Sequence, residues 1–285
     1  MDSHEWRELY RMIRLADKSV PGRSRRTQYS DVLIVAMYLW STGHDRPMYW
    51  ACDRSHYASC FRPPKLPSVS QFSRRLRSPR CRQMLAVLHD LTAETDQRTD
   101  LSFLDGRALR VGAHTKDGDA GRGYAPGGMA KGYKLHVWAD ADGRVPVWSL
   151  EPLNVSEKTV AGHLLACRSP DGLVLADRNY DAGHLYDQVA DAGGQLMTPP
   201  PKNVGGGHRR ASVPRLANAV CWPNLGKYVY QERLTVERIL GWQCSSAVGL
   251  YALPPWVRTL PRVRRWVGAK LIIYHVHRRL RRRVA

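Results

Sequence analysis

The stretch KGYKLHVWADADGRVPVWSL (residues 131–150) contains the clearest fold signal in the chain. From Tyr133 to Val137, apolar and polar side chains alternate, which is the two-residue period of a strand with one buried face. The residues DADG (140–143) are typical of a tight turn. Residues 144–150 then continue as a second strand, so this stretch predicts a β-hairpin.

Other short apolar runs and helical segments lie on both sides of this hairpin. They predict strands at residues 101–106, 173–176 and 195–198 and helices at residues 156–168, 182–192 and 227–242. The order is therefore β-β-β-α-β-α-β with a long helix at the end. Ribonuclease-H-like folds have this order, with a mixed sheet flanked by helices. We predict an α/β fold of this class, with the glycine-rich residues 117–132 as a flexible loop.

The chain before the sheet is predicted to be helical. Residues 31–41 are strongly apolar and favour a helix with Ser30 or Asp31 as its N-cap. Residues 68–78 favour a short basic helix, and the pair resembles a helix-turn-helix in outline. A helical packing domain with a solvated basic face is the alternative. The arginines of the basic helix to which we assign DNA contact are Arg74 and Arg75.

These elements divide the chain into three predicted segments. Residues 1–98 form a helical N-terminal region with a possible role in DNA binding. Residues 99–255 form the catalytic domain, and residues 199–226, rich in Pro, Gly and Arg, form a basic loop inserted in it. Residues 256–285 form a basic C-terminal helical tail.

Positive charge is the unusual feature of the composition. The chain has 44 Lys and Arg residues against 25 Asp and Glu residues, which gives a formal net charge of +19. Such an excess attracts polyanions and suits a phosphate backbone. A ribosomal protein or a membrane-surface binder would also be basic, so charge indicates a class of partner and not a reaction.

Cysteine spacing and the first residues indicate the cellular compartment. The six cysteines include no C-x-x-C pair, which favours a reduced, intracellular protein. The N-terminal residues MDSHEWRELYRM lack the apolar stretch of a signal peptide, and the best apolar run, residues 31–40, is too short to span a bilayer. We expect a cytoplasmic protein with no membrane partner.

Two aspartates are expected to meet at one edge of the sheet. Asp105 ends the first predicted strand, and Asp177 follows the fourth. In a ribonuclease-H-like order these strands are neighbours, and ligands of open α/β sheets gather at such strand ends. Each aspartate alone has a simpler explanation, since Asp105-Gly106 is a common turn and Asp177 can cap the following helix.

A third carboxylate is predicted on the last helix. At about 100° per residue, Tyr230, Arg233 and Glu237 fall on one ridge beside the buried face. Glu237 could complete a metal site while Arg233 neutralises a phosphate, and an ordinary solvated glutamate is the alternative. Three carboxylates suit two Mg²⁺ ions, which prefer oxygen ligands and stabilise the attacking and leaving oxygens of an in-line displacement.

At these residues the chain resembles the insertion-sequence DDE transposases of prokaryotes, in the branch marked by a Y-x2-R-x3-E-x6-K signature. The matching segments are Leu104-Asp105-Gly106 for the first aspartate, GYKLH (132–136) for the next strand, DRNY (177–180) for the second aspartate, and Tyr230, Arg233 and Glu237. The resemblance covers roughly residues 100–275. The four motifs are specific because they occur together in order.

The resemblance implies a ribonuclease-H-like core that needs two Mg²⁺ or Mn²⁺ ions and acts on terminal inverted repeats and target DNA as a homodimer in a synaptic complex. It implies that Asp105, Asp177 and Glu237 are both the catalytic residues and the metal ligands. The residues that we expect to contact DNA are Tyr230 and Arg233, near the scissile phosphate, and Lys134 on the second strand.

One position departs from the family signature, and other functions stay open. Cys244 stands where the signature has its last basic residue, so this copy could be impaired in contacting a DNA end. A structure-specific nuclease on the same fold and a DNA-binding derivative without catalysis are the alternatives. Separately, Cys52, His56 and Cys60 are four residues apart and would lie along one helix, as zinc ligands or as a packed face.

Overall fold

A computed structural model of the chain describes residues 1–22, 27–96, 99–112, 114–170, 172–200, 212–250 and 253–282. The chain divides into two compact units. The helical unit contains Met1–Thr95 and Gln243–Ala285, and the sheet unit contains Asp96–Trp242. Within the described residues, no helix combines the length and the apolarity that crossing a bilayer requires.

The sheet unit is built on a six-stranded mixed sheet. Its strands are β1 (Leu101–Arg110), β2 (Gly121–Ala125), β3 (Gly128–Asp140), β4 (Val147–Pro152), β5 (Leu173–Ala176) and β6 (Gln195–Met197). The order is β2-β3-β1-β5-β6, and β4 also pairs with β3. β1, β5 and β6 run parallel, whereas β3 is antiparallel to β1, β2 and β4. The predicted hairpin at residues 131–150 is confirmed as β3 and β4.

The first strand is longer than the sequence predicts. We expected β1 to end at Asp105, but it continues to Arg110. The reason is its antiparallel partner, because pairing with β3 runs from Ser102–Asp140 to Arg110–Gly132. Asp105 is therefore a mid-strand residue whose position is fixed by hydrogen bonding on both sides of it.

We expected the glycine-rich residues 117–132 to be a flexible loop. The structure differs, because β2 lies within them and pairs with the start of β3. Gly127 and Gly128 have φ values of +87° and +114°, which suits the turn between the two strands. Gly132 is required by packing, since a Cβ there would lie 2.3 Å from the carbonyl oxygen of Leu109. The sequence of β2 does not alternate between apolar and polar residues, because the side chains of this strand are half-buried or exposed.

Two helices complete the core of the sheet unit. α5 (Glu157–Cys167) and α6 (Gly183–Asp191) contact each other, and their apolar side chains pack with those of the central strands. Buried members of this core include Leu104, Trp138, Val160, Leu164, Val174, Leu185 and Val189. The predicted mixed sheet flanked by helices is therefore confirmed.

The segment after β6 is more helical and less regular than the sequence predicts. Residues 201–211 of the predicted basic loop lie outside the described residues, but α7 (Val213–Cys221) follows directly, with the Ser212 side chain accepting from the amide of Arg215. The predicted helix at residues 227–242 is wrong as one continuous helix. It is divided into α8 (Lys227–Val229), a 3₁₀ turn (Tyr230–Arg233) and α9 (Leu234–Gln243), and a π-helical turn (Trp222–Gly226) connects α7 to α8. Pro223 lacks an amide donor, which explains the interruption after α7.

The helical unit contains α1 (Ser3–Ser19), α2 (Asp31–Gly43), α3 (Val69–Leu76), α4 (Pro79–Ala93) and α10 (Leu260–Arg282). The apolar helix predicted at residues 31–41 is confirmed as α2, and Ser30 is its N-cap, accepting from the amide of Leu33 at 3.2 Å. α10 packs against α1, α2 and α4 because most of its residues from Val263 to Leu280 are buried. Residues 260–282, which we predicted as a separate basic tail, thus share one hydrophobic core with the N-terminal helices.

A buried ion-pair network joins four helices of this unit, α1 to α4. The Asp31 carboxylate accepts from Arg75 at 2.6 Å and from Arg80 at 2.9 Å, and Arg80 also donates to Asp17 at 2.8 Å. All of these groups except Arg75 have side chains less than about one-seventh exposed. Such a network stabilises the fold only while every member is paired.

Candidate active site

The two predicted aspartates lie side by side because of strand register. β1 and β5 are parallel neighbours, and their last paired positions are Leu104 and Ala176. Asp105 and Asp177 are the next residues on each strand. The prediction that neighbouring strands bring these two carboxylates to the same region of the sheet is consistent with this register.

Asp105 is a buried carboxylate with limited compensation. Its side chain is 12% exposed, and it accepts from the Gly106 amide at 2.8 Å and from Arg233 at 3.0 Å. Burial raises the pKa of Asp105 above its ordinary value, and the charge of Asp177 raises it further, whereas Arg233, the Gly106 amide and Lys134 act to lower it. A site with this balance favours additional positive charge near Asp105.

Asp177 has the capping role that its sequence position suggests. Its Oδ1 accepts from the amide of Asn179 at 2.8 Å and caps the 3₁₀ turn Arg178–Tyr180. The carboxylate is half-buried, and its charge acts on Asp105, Tyr180 and Arg233. Capping therefore orients this side chain at the end of β5 next to Asp105.

Arg233 links Glu237 to Asp105 by hydrogen bonds to both carboxylates. The guanidinium donates through Nη1 to Glu237 Oε1 at 2.9 Å and through Nη2 to Asp105 Oδ2 at 3.0 Å. Arg233 belongs to the 3₁₀ turn that contacts β5, and Glu237 follows four residues later on α9. Glu237 is 55% exposed, so its side chain has room to move.

Arg233 occupies the position between carboxylates where a cation would be expected. Within the described residues, no three His, Cys, Asp or Glu side chains lie close enough together to hold one metal ion. The donor set nevertheless fits a hard divalent cation, because Asp105, Asp177 and Glu237 supply only carboxylate oxygens. The positive charge that these carboxylates require is supplied by the Arg233 guanidinium, which is 16% exposed.

A buried hydroxyl beside the aspartates lacks a partner. Tyr180 is 2% exposed, and its oxygen has no hydrogen-bond partner among the described residues. Burial raises the pKa of Tyr180 well above its ordinary value, and the charges of Glu157, Asp105 and Asp177 act in the same direction. An unpaired hydroxyl facing carboxylates fits a site that takes up a hydrated cation or a phosphate oxygen.

Lys134, predicted as a DNA contact, lies inside this acidic cluster. It forms an ion pair with Glu157 at the start of α5, and its charge lowers the pKa of Asp105. Its neighbour His136 is 1% exposed, and burial followed by the charge of Lys134 lowers the pKa of His136 to about 4. Gly106 permits this packing, since a Cβ there would lie 2.7 Å from Cε of Lys134.

Tyr230 lies beside Arg233. The Arg233 guanidinium carbon lies 6.0 Å from the centroid of the Tyr230 ring. The Trp222 ring contacts the same tyrosine ring edge-on, with 5.2 Å between the ring centroids. Burial raises the pKa of Tyr230 above its ordinary value, Arg233 lowers it, and Asp177 raises it. Tyr230, Arg233 and Glu237 therefore lie near one another, as their spacing predicts, although a 3₁₀ turn and not a regular helix carries the first two.

The other candidate residues belong to the helical unit. Arg74 is exposed on α3, whereas Arg75 donates to Asp31 at 2.6 Å and therefore has a structural role as well. The helix predicted through Cys52, His56 and Cys60 does not form, because Pro47 and Asp53 precede two separate 3₁₀ turns, Met48–Cys52 and Arg54–His56. These three side chains are not a metal-holding group within the described part of the chain.

Sequence reasoning missed Glu157, Tyr180 as a polar site residue, and the packing role of Gly106. Tyr180 and Gly106 both lie inside the quoted motifs, so their position beside an aspartate was the available signal. No sequence signal marks Glu157, because it reaches the site only through the packing of α5 on the sheet, where it forms an ion pair with Lys134. Cys244, at the usual basic position, is half-buried, and its thiol donates to the carbonyl of Leu250.

Comparison with known families agrees with this geometry. A family model described as the transposase DDE domain matches residues 96–274, which is more than half of the chain and includes Asp105, Asp177 and Glu237. No curated protein matches the chain.

Proposed function

The chain belongs to the transposase DDE domain family, and from this premise we propose that it cuts DNA at the terminal inverted repeats of an insertion sequence and joins the cut ends to target DNA. The family has a ribonuclease-H-like fold, so the predicted fold class is confirmed. Transposition is a polynucleotidyl transfer, and a transposase of this family generally uses divalent metal ions.

One observation supports the proposal most strongly. Arg233 links Asp105 and Glu237, which are 132 positions apart (237−105), while strand register places Asp177 next to Asp105. Two carboxylates, from β1 and α9, thus bind one cationic group, and the third, at the end of β5, acts on that group through its charge.

Asp105, Asp177 and Glu237 would hold two Mg²⁺ or Mn²⁺ ions. When bound, such ions supply charge stabilisation for the attacking and leaving oxygens of an in-line phosphoryl transfer. Asp105 would be the most constrained ligand, because the pairing of β1 with β3 continues past it in both directions along the strand. Glu237, which is more exposed, would join the others when Arg233 releases it.

Arg233 and Tyr230 would then act on DNA. A guanidinium that leaves Asp105 and Glu237 can donate two parallel hydrogen bonds to a phosphate, which is the geometry that arginine provides. Tyr230 would orient that guanidinium from 6.0 Å away. Lys134 would act on phosphate only after leaving Glu157, so we assign it mainly to positioning Asp105. Arg74, on α3 of the helical unit, would contact the DNA backbone, and Arg75 would support it.

The reaction on paired ends would require a homodimer in a synaptic complex with DNA. The net charge of +19 suits contact with several DNA segments at once. Whether the nucleophile is water or a DNA 3′-hydroxyl decides between cutting and joining, and one set of carboxylates can serve both steps.

The test is a donor-plus-target assay. Labelled duplexes carrying the inverted repeats of the element that encodes the chain are incubated with plasmid target and Mg²⁺ or Mn²⁺. Wild type should give nicked ends and joined products, and Asp177→Ala should give neither. Asp187→Ala, an exposed aspartate on α6, is the matched control and should behave as wild type.

The assay also separates the two other functions that the sequence leaves open. Nicks without joined products would indicate a nuclease on the same fold. If wild type and Asp177→Ala both bind DNA and neither cuts it, the chain is a DNA-binding derivative and the proposed metal site is wrong. Within the active outcome, Arg233→Ala should reduce end cleavage more than it reduces nonspecific DNA binding.

A further inference from the structure

The helical unit contains a basic groove that includes none of the residues assigned above. It has a volume of about 410 Å³ and lies between α2, the Met48–Cys52 turn, α3 and the start of α10. We call it the arginine groove and define it by Arg46, Tyr49, Arg77, Trp256, Arg262 and Arg265. Arg46, Arg77 and Arg262 are exposed, and Arg265 is half-buried.

Arg265 lies among other arginines of this groove. The charges of Arg77, Arg262 and Arg82 disfavour its charged form, and the buried phenol of Tyr38 favours it. Burial, followed by repulsion from these arginines, lowers the pKa of Arg265. No acidic residue lies in the first turn of α10, so the positive end of its helix dipole adds to this potential.

Other buried arginines of the chain are treated differently. Arg80 donates to both Asp17 and Asp31, and Arg278 donates to Glu94 at 2.6 Å. Where this fold uses arginine for structure, it therefore supplies a carboxylate. A cluster of arginines around a cavity creates a positive potential that favours binding of an anion from outside the chain.

Aromatic side chains lie exposed at the same groove. Tyr49 is 66% exposed and Trp256 is 42% exposed, and Val69 at the start of α3 is 45% exposed. Aromatic residues of this size are normally buried, because each one removes a large apolar area from water. Exposed rings beside guanidinium groups are the arrangement with which proteins hold unpaired bases, one ring against each base and the cations against the phosphates.

We propose that the arginine groove binds a short segment of single-stranded DNA, with its phosphates on Arg77, Arg262 and Arg265 and an unpaired base against Trp256 or Tyr49. The proposal rests on the proposed function only for the choice of DNA as the polyanion. Binding in the groove needs neither the carboxylates of the sheet unit nor a metal ion. A transposase that separates or frays DNA ends would expose such a segment.

Single-strand binding is tested with the full chain in EDTA, so that no cutting occurs. Fluorescence anisotropy measures the affinity for a labelled oligothymidylate, for an abasic strand of equal length and for a duplex of equal length. The abasic strand keeps every phosphate and removes every base. Wild type should prefer the oligothymidylate to the abasic strand by ~5-fold or more, since stacking of one base is worth about 1–3 kcal/mol.

Two variants separate the contributions of charge and stacking. Arg77→Gln combined with Arg262→Gln should weaken binding to both strands at least ~10-fold and reduce the slope of log K against log salt by about 1.4, because two phosphate contacts are lost. Trp256→Ala, alone or with Tyr49→Ala, should abolish the preference for bases and leave abasic binding unchanged. A preference measured within one preparation does not depend on the fraction of protein that is folded.

The matched control removes the same charge from the other end of the same helix. Arg281 and Arg282 are exposed in the last turn of α10, about 28 Å from Arg262 along the helix axis. Arg281→Gln with Arg282→Gln should weaken binding by less than ~3-fold, as expected for a nonspecific change in net charge. An equal loss in the two double variants would overturn the proposal.

Other outcomes also overturn it. If wild type binds the duplex or vesicles rich in anionic lipid better than the oligothymidylate, the groove is a duplex or membrane contact. If the aromatic variants keep the base preference, the rings do not stack on DNA. Asp177→Ala should bind the oligothymidylate as wild type does, because the groove does not use the carboxylates of the sheet unit. If wild type binds the oligothymidylate but does not cut DNA in Mg²⁺ or Mn²⁺, the proposed function is refuted and the groove is not.

Discussion

Replacing Arg233 with glutamine tests whether this arginine occupies a cation site. Its guanidinium lies 3.0 Å from Asp105 and 2.9 Å from Glu237, measured from nitrogen to oxygen. Arg233→Gln keeps a polar side chain of similar length and removes the charge. Asp105 and Asp177 then face each other without this compensation.

The expected loss of stability follows from the geometry. Charge centres about 4 Å apart attract by roughly 4 kcal/mol at an effective dielectric constant near 20. The arginine also loses solvent on burial, which offsets part of that attraction, so the net loss in EDTA should be about 2 kcal/mol. Only the Asp105 pair contributes substantially, since Glu237 is 55% exposed and water screens it.

The pH dependence of this loss has a definite sign. The pKa of Asp105 is already raised in the folded protein, and Arg233 acts to lower it, so the variant should raise it further. A raised carboxyl pKa contributes stability below the ordinary value of 3.8 and loses it as pH rises through the folded pKa. The difference between wild type and Arg233→Gln should therefore be largest near neutral pH and shrink on acidification.

Urea denaturation in EDTA and in millimolar Mg²⁺ measures the effect. A divalent cation bound by the carboxylates replaces the lost charge, so Mg²⁺ should recover at least ~1 kcal/mol in Arg233→Gln. Arg215→Gln is the matched control, because Arg215 pairs with Asp181 at 2.7 Å in the same unit. The loss of unfolding free energy in Arg215→Gln should not depend on Mg²⁺. Equal losses with and without Mg²⁺ in Arg233→Gln would refute the reasoning.

Three further changes probe the fold and the site. Asp31→Asn should lower the free energy of unfolding by about 3–5 kcal/mol in urea melts, because it leaves the buried Arg80 partly unpaired. The free energy of unfolding should fall as pH drops from 6.5 to about 4, since His136 stays neutral in the folded chain while the unfolded chain binds a proton, and the wild-type slope should exceed that of His136→Gln. Gly106→Ala should reduce DNA cleavage at least ~10-fold at unchanged DNA binding, because its Cβ forces the end of the Lys134 side chain, whose charge acts on Asp105, to shift.

Each of these predictions has a control that could contradict it. Asp187→Asn, an exposed aspartate, should leave the urea midpoint unchanged, and a similar shift in both variants would show that the Asp31 network is not stabilising. Parallel pH profiles for wild type and His136→Gln would show that other groups cause the acid sensitivity. For Gly106→Ala, wild-type cleavage would show that Lys134 does not position Asp105.

Local pattern was enough to predict several elements. The alternation around Tyr133 predicted β3, and the apolar run ending before Asp177 predicted β5 at Leu173–Ala176. Ser30 was one of two expected N-caps for α2. These features follow from interactions between residues close in sequence, which a single chain displays directly. The spacing of Tyr230, Arg233 and Glu237 is of the same kind, because neighbours three and four apart share a helix face.

Other features depend on contacts between distant residues. β2 forms a strand only because β3 is present to pair with it. The turn at Gly127 connects the two strands, and Gly132 belongs to the pairing segment of β3. Glu157 reaches Lys134 through the packing of α5 on the sheet, and no periodicity signals that pair. The fold also brings Arg77, which is distant in sequence, close enough to Arg265 for its charge to lower the pKa of Arg265.

The sequence by itself therefore determined the kind of fold, the family and the three carboxylates to consider. Only the tertiary structure decided that Arg233 lies between Asp105 and Glu237 and that α10 completes the helical unit. The physical reason is that periodicity records which face of an element is buried, whereas the partner that buries it is chosen by packing and charge across the whole chain.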